Sequence, residues 1–247
     1  MICYFCTQLI LMKVDILAFG AHPDDIEISA AGTLISEARK GKIIGLIDLT
    51  RGEMGTRGSA ELRDGESIRA LEIMGAAFRE NLHMRDAYLE TNSENLEKVV
   101  QVIRKYRPEI VIANAPSDRH PDHGHAANLV AEACFKAGLR KYLVNGTSNN
   151  AWRPKAIYHY MQFYHHKPDF VYDISETIED KIAAVLAHAS QFYNPFSNEP
   201  ETVIASLQFK EGIRARALEY GLQAGFDYGE PFMVRRVLGV KNLGDLY

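Results

Sequence analysis

Two spacings of apolar residues alternate along the chain: short continuous runs that suit buried parallel strands, and runs recurring every three or four positions that suit one face of a helix. Val14 to Phe19 is the first run, broken once by Asp15 and closed by Gly20. Beyond the turn His22-Pro23-Asp24-Asp25, the residues Ile28, Ala31, Leu34, Ile35 and Ala38 keep helical spacing until Gly41. Ile43 to Leu49 is a second strand that empties into the Gly- and charge-rich loop Thr50 to Gly58, and a helix from Ala60 to Gly75 follows. A short strand at Phe78 to Met84 and a helix capped by Ser93 and running to Tyr106 come next. Ile110 to Ala113 is a fourth strand, and after the loop Asn114 to His123 a helix runs through Ala126 to Ala137. Past Trp152 the pattern loosens into strands at Ala156 to Phe163 and Phe170 to Asp173, then helices at Ile178 to His188 and Thr202 to Leu222.

Strands that alternate with helices require helical crossovers, so the pattern predicts an α/β fold: a Rossmann-like, doubly wound, mostly parallel sheet with helices on both faces. The last third reads as a small C-terminal elaboration of one domain, residues 12–247. With 247 residues, 47% of them apolar and 24% charged, the chain is long enough to bury a large core and has the balance of an ordinary globular protein.

The formal charge of −4 is spread over both halves, without a Lys/Arg run to track a phosphate backbone, so nucleic acid is set aside as a partner. No stretch approaches the ~18 apolar residues needed to span a bilayer, and a cytoplasmic protein is expected. Met1 to Leu11 is apolar but lacks a basic segment and a cleavage site, and Met12 opens directly into the first strand. Residues 1–11 therefore read as a start-site extension. Cys3 and Cys6 lie within it, with no second pair downstream to complete a four-cysteine zinc site. Cys134 reads as a small core residue.

The candidate chemistry sits in two exit loops. Open α/β sheets bind ligands beyond the carboxyl ends of their strands, where the chain reverses the direction of sheet growth. If strand 1 is central and strand 4 flanks it, His22, Asp24 and Asp25 meet His120, Asp122 and His123 there. Three N and O ligands with one open position mark a catalytic zinc, and His22, Asp25 and His123 are the chosen set. Adjacent carboxylates leave the backbone in different directions, so Asp24 is left over as general base toward a water activated by the metal. His120 is expected to stabilise an oxyanion or protonate the leaving amine. Asp122 is expected to orient His120 and raise its pKa. Either aspartate taken alone reads equally well as a helix cap; two His-Pro-Asp segments at the exits of buried strands argue jointly for a site.

These residues carry a family resemblance. Ala21-His22-Pro23-Asp24-Asp25-Ile26-Glu27 followed by Gly32-Thr33-Leu34, with His120-Pro121-Asp122-His123 downstream, resembles the LmbE-like (PIG-L) family of zinc-dependent N-acetylglucosaminyl deacetylases. The resemblance runs from about Met12 to the end of the chain. The segments Arg51 to Gly58 and His188-Ala189-Ser190-Gln191-Phe192 are most similar to the bacillithiol-pathway branch, which removes acetate from N-acetylglucosaminyl malate. The resemblance implies zinc on His22, Asp25 and His123, Asp24 as base, His120 as acid or electrostatic partner, and a homo-oligomer, with hexamers known in that branch. Ala30-Ala31 departs from the family, where a glycine is common, and is expected to affect helix packing rather than ligation.

Glu53 and Arg57, in the loop leaving strand 2, and Arg119 beside His120 are candidate substrate-binding residues, the guanidinium matching a carboxylate. The resemblance adds Gln191. His188 is read as structural, His165-His166 as an exposed turn, and the aromatic cluster Tyr158 to Tyr164 as core and sheet surface. Two His and one carboxylate also suit iron(II), so an iron oxygenase is one rival reading and iron(II) an alternative metal in the cell. A non-catalytic sugar-binding module on the same fold is the other.

Overall fold

A computed structural model of the protein describes residues 13–144 and 150–246. The expected extension at residues 1–11, with Cys3 and Cys6, lies outside the described residues. The elements are β1 (Ile16–Gly20), α1 (Asp25–Arg39), β2 (Ile44–Thr50), α2 (Ala60–Met74), β3 (Phe78–Met84), α3 (Ser93–Tyr106), β4 (Ile110–Ala113), α4 (Pro121–Ala137), β5 (Ala156–Tyr160), β6 (Phe170–Asp173), α5 (Ile178–Leu186), α6 (Leu207–Ala224) and β7 (Gly229–Val234). A short 3-10 turn spans Leu243–Leu246.

The seven strands form one sheet in the order β3-β2-β1-β4-β5-β7-β6. β1 pairs in parallel with β2 on one side and β4 on the other, so the switch point falls between β1 and β4. β7 is antiparallel to both β5 and β6. All five residues of β1 and all seven of β2 are buried, which is why these strands read as unbroken apolar runs.

The helices cover both faces. On one, Val99, Val100 and Ile103 of α3 pack with Leu129 and Val130 of α4 against Leu17, Phe19 and Val111. On the other, Ile26, Ala30 and Leu34 of α1 pack with Met74, Ala184 and Phe232 against Ile16, Ala18 and Ile112. Ala30 and Ala31 are fully buried, in keeping with a packing role for that departure. At Gly32 a side chain would come within 3.0 Å of Ile174, so only glycine allows this approach of α1 to the segment after β6. Glu230 of β7 locks the same corner: its carboxylate accepts from the backbone N–H groups of Gly32 and Thr33 (3.0 and 2.7 Å), from the Thr33 hydroxyl and from Lys181.

Several boundaries differ from the sequence reading. Asn92, not Ser93, caps α3, its side chain accepting from the N–H of Asn95. α4 begins at Pro121, because proline suits the first helical position and His120 caps it. β5 ends at Tyr160, α5 ends at Leu186, and α6 begins at Leu207 behind a Ser206 cap. The apolar pattern does not predict β7; Gly229 and Pro231 hide it, since proline is rare inside a sheet. No helix among the described residues is long and apolar enough to cross a membrane.

Candidate functional site

The loop after β1 makes a sharp turn. A Cβ at Gly20 would meet the His22 carbonyl at 2.9 Å, and Asp24 takes φ 109°, a strained value for a non-glycine residue. Asp24 stands at the N-cap of α1 without capping it. Its carboxylate instead pairs with Arg63, whose Nη2 lies 3.2 Å away. Arg63 also donates to the carbonyls of Pro23 (2.6 Å) and Gly52 (3.0 Å). The cap reading therefore fails for Asp24, and its side chain is held at the cavity wall.

Asp25 opens α1 and lies between two imidazoles. Its Oδ2 is 3.5 Å from His22 Nδ1 and its Oδ1 is 3.2 Å from His123 Nε2. The far nitrogen of each ring is backed by another carboxylate: Asp86 Oδ1 lies 3.0 Å from His22 Nε2, and Asp118 Oδ2 lies 2.8 Å from His123 Nδ1. Such backing fixes the ring and makes its inner nitrogen a better ligand. Two amides aim Asp25 itself, with Asn114 Nδ2 donating to Oδ2 (3.0 Å) and Gln162 Nε2 to Oδ1 (2.8 Å).

His120 completes a trio: one ring nitrogen from each of His22, His120 and His123 lies within 4.8 Å of the others. His22, Asp86 and Asp122 form a second such group. Burial, the largest effect on His22, favours the neutral ring, yet hydrogen bonds accepted from it by the carboxylates of Asp122, Asp25 and Asp86 raise its pKa well above the ordinary value. His123 is likewise lifted to about 9 by Asp25 and Asp118, against burial. Burial alone would raise Asp25, but His123 and His22 hold it well below the usual carboxylate range. Carboxylates that draw protons onto two imidazoles would draw a divalent cation to the same nitrogens, so the donor set fits a metal ion.

Asp24 behaves differently: burial pushes its carboxyl up to about 6, against the pull of Arg63. His120 is also unlike expectation. Burial and then the charges of His22 and His123 lower its pKa, outweighing the opposite influence of Asp122. The Asp122 carboxylate does not orient the ring; it accepts from the N–H of Ala87 (2.8 Å) and stands 3.6 Å from His22 Nε2. The backbone N–H of Asp122 donates to His120 Nδ1 (3.2 Å). With Nδ1 an acceptor, the neutral ring carries its proton on Nε2 and is a donor without being charged.

The cavity above these groups, of about 240 Å³, is lined by His22, Asp24, Asp25, His120 and His123, with Arg119 and Gln191 at its wall. The Arg119 guanidinium lies 4.5 Å over the Phe163 ring. Glu53 and Arg57 do not line it. Glu53 accepts from the N–H groups of Arg51 and Asp86 (3.2 and 2.9 Å) and so braces the Asp86 loop. Arg57 is buried and spent on a loop-to-loop clasp, donating to Ser190 O, Pro200 O and Ser197 Oγ at 2.8 to 3.1 Å, with Glu199 3.6 Å away. Gln191 Nε2 donates to the Arg57 carbonyl across the same joint (2.9 Å).

Sequence reasoning missed Asp86, Asp118, Asn114, Gln162 and Arg63. Asp118 had a signal, two residues before His120 in the same exit loop, and Asn114 opens that loop. Asp86 follows β3 and Gln162 follows β5, where isolated polar residues carry no spacing cue.

Comparison with known proteins agrees with this geometry. Residues 17–134 match the family model described as PIG-L: GlcNAc-PI de-N-acetylase. A diacetylchitobiose deacetylase of Thermococcus kodakarensis is 34% identical over 229 residues, 87% of this chain and 80% of that protein. A Bacillus anthracis protein named "Probable N-acetyl-alpha-D-glucosaminyl L-malate deacetylase 2" is 29% identical, over 72% of this chain and 81% of its own length. The crystal structure of a conserved protein of Thermus thermophilus superposes with a TM-score of 0.83 at 36% identity, covering 92% of this chain and 98% of that one. With two carboxylate-backed imidazoles around Asp25 and relatives matched over most of its length, this chain belongs to the PIG-L (LmbE-like) deacetylase family.

Proposed function

We propose that this protein is a zinc-dependent N-deacetylase that hydrolyses the acetamide of an N-acetylglucosaminyl conjugate. The observation that carries the reading is the pairing of an Asp25-centred donor set with a spare, buried carboxylate at Asp24. A site that only bound sugar would have no use for a base beside its ligands.

His22, Asp25 and His123 would hold the ion, with Asp86 and Asp118 fixing the two rings. Zinc in that position supplies Lewis acidity toward the acetyl carbonyl and toward water. Asp24, with its carboxyl near 6, is ionised at neutral pH yet basic enough to accept a proton from water. Water adds to the carbonyl carbon, the C–N bond breaks, and the proton taken by Asp24 passes to the departing nitrogen, leaving acetate and an amine. His120, a neutral Nε2–H donor, serves the developing oxyanion. Arg63 keeps Asp24 in its strained position, and Asp122 supports His22.

Three aglycones have support. An inositol fits a relative of Segniliparus rotundus named "1D-myo-inositol 2-acetamido-2-deoxy-alpha-D-glucopyranoside deacetylase". A malyl group fits the resemblance to the bacillithiol branch, the Bacillus anthracis relative and the Arg119 guanidinium, which has no hydrogen-bond partner among the described residues. A second sugar fits the Thermococcus relative. The test is acetate release from N-acetylglucosamine, N,N'-diacetylchitobiose and N-acetylglucosaminyl malate, with protein stripped of metal and reloaded with zinc or iron(II). Zinc-restored acetate release from at least one of them is expected. No release from any, or oxygen uptake with iron(II), overturns the reading.

A further inference from the structure

The metal-site cavity has an open side and a closed one. Met54, Gly55, Ala87 and Arg119 on its wall are exposed, Met54 to 66%, and form its rim. Ile28, Phe163 and Ile204, also on its wall, are apolar and half-buried. Behind them lies a second cavity, of about 490 Å³, bounded by α6, α5 and the segment after β5. Ile28, Gln162 and Phe163 line both cavities, and the consecutive residues Val203 and Ile204 line one each.

The three apolar side chains are set by the groups that hold the ligand cluster. Ile28 lies one turn beyond Asp24 on α1, its N–H donating to the Asp24 carbonyl (3.0 Å), and residues four apart share a helix face. Phe163 follows Gln162, whose amide aims Asp25; its own N–H donates to Asp118 (3.2 Å), and its ring stacks on Phe209 with centroids 5.6 Å apart. Ile204 packs with Ile28 on one apolar cluster, Val185, Phe192 and Ile213. A carbonyl carbon brought to Asp24 and His120 thus has polar groups around it and one enclosed apolar wall. The sugar, bulky and rich in hydroxyls, has room toward the exposed rim, which leaves the acyl chain facing Ile28, Phe163 and Ile204. At about 240 Å³ the cavity falls below the range of about 300–1,000 Å³ common for ligand pockets, so a longer chain finds little room on this side of the wall.

We propose that Ile28, Phe163 and Ile204 set the acyl length this site accepts: they close round a methyl group and part it from the second cavity, so acetyl is taken and longer N-acyl chains are refused. The proposal rests on the deacetylase reading and adds which acyl groups that chemistry reaches. The barrier is one side chain thick, since Ile28 and Phe163 face both cavities. Cutting it back joins the two spaces, and the second offers apolar surface from Met161, Phe209 and Ile213 to a propionyl or butyryl tail. Water then adds to the carbonyl as for acetyl and the C–N bond breaks, releasing the amine and the longer carboxylate.

Ile204→Ala, on a loop, and independently Ile28→Ala cut the wall back. The substrates are the N-acetyl, N-propionyl and N-butyryl forms of the glucosaminide that releases acetate fastest, with zinc-loaded protein. In wild type kcat/KM should fall about tenfold or more for each added methylene, and in either variant the butyryl-to-acetyl ratio should rise about tenfold or more. Gly212 lines the second cavity and a Cβ there meets nothing within 4 Å, so Gly212→Trp added to Ile204→Ala should fill the new space and take the gain back. Equal rates on all three amides in wild type, a ratio unmoved in both variants, or a gain that survives Gly212→Trp overturns the proposal. Saturation-transfer NMR with N-butyrylglucosamine reads binding in the metal-free protein, so absence of acetate release from every substrate would sink the deacetylase reading while this measurement still decides the wall. Transfer to the terminal methyl group is expected in Ile204→Ala and not in wild type; equal transfer in both, or none in either, overturns it.

Discussion

The first, wholly parallel part of the sheet, β3-β2-β1-β4 with α1 to α4, and the later part, β5 (still parallel to β4) with β6, β7, α5 and α6, meet at the site with different kinds of side chain. From the first come the three imidazoles and the carboxylates Asp24, Asp25, Asp86, Asp118 and Asp122, all on loops or helix starts beyond strand ends. From the second come Gln162, Phe163 and Gln191, amides and rings that aim and enclose. The parallel part thus holds the groups proposed to do chemistry, and the later part shapes what they meet. Exit loops of parallel strands converge at a switch point because of topology; the later part continues with β5, parallel to β4, before the antiparallel β7, and through Gln162 it also aims Asp25.

The largest effect should come from Asp24, the one charged group of the parallel part assigned to the reaction rather than to ligation. Asp24→Asn keeps the shape and tolerates the left-handed backbone, and Arg63 retains the carbonyls of Pro23 and Gly52. Turnover should fall by about a hundred- to ten-thousand-fold, with zinc content by elemental analysis unchanged. Retained turnover would remove the division of labour between the two parts, because the base would then lie elsewhere.

That division also explains what was legible in the sequence. β1, β2 and β4 were readable because burial on both faces forces unbroken apolar runs such as Ile-Leu-Ala-Phe, whereas the edge strand β3, Phe-Arg-Glu-Asn-Leu-His-Met, is only half-buried and has no such run; the residues proposed as ligands were readable because they sit beside prolines and helix starts at the ends of β1 and β4. In the later part, β7 is a central strand carrying Gly229 and Pro231, where local preference and tertiary pairing conflict. The contribution of Gln162 depends on where β5 delivers it, across a sequence distance of 137 residues from Asp25. Arg57 misled for a related reason: a loop arginine near a site looks available until its partners, the carbonyls of Ser190 and Pro200, arrive from the other end of the chain.

Asp118 is the joint between the two parts, and its replacement should have a smaller effect. Its Oδ1 accepts from the N–H groups of Arg119, Phe163 and Tyr164 (2.8, 3.2 and 3.0 Å), while Oδ2 holds His123 Nδ1. In Asp118→Asn the amide oxygen can keep the backbone bonds, which turns the NH2 group toward His123. The ring must then accept at Nδ1 and carry its proton on Nε2, the nitrogen facing Asp25. Zinc affinity, measured by competition with a chromogenic chelator, should drop about ten- to a hundred-fold. Unchanged affinity would mean that His123 does not ligate through Nε2.

The smallest effect belongs to the later part alone and concerns acid stability. His159 of β5 is buried, its Nδ1–H donating to the Asn114 carbonyl (2.6 Å) and its Nε2 accepting from Arg235 (3.0 Å). Burial, with Arg235 beside it, pushes the imidazole down to about 4 from its ordinary 6.5. As pH falls, the unfolded chain therefore takes up this proton first, and stability present above pH 6.5 is lost progressively down to about pH 4. Between pH 7 and pH 5 this one group should cost about 2 kcal/mol. His159→Gln, which has no proton to take up, should lose that much less than wild type when urea midpoints are compared at the two pH values. Parallel losses in both proteins would move the acid-sensitive point out of β5 and into the carboxylates and imidazoles of the parallel part, where bound zinc would suppress it; the same titration with zinc added separates the two.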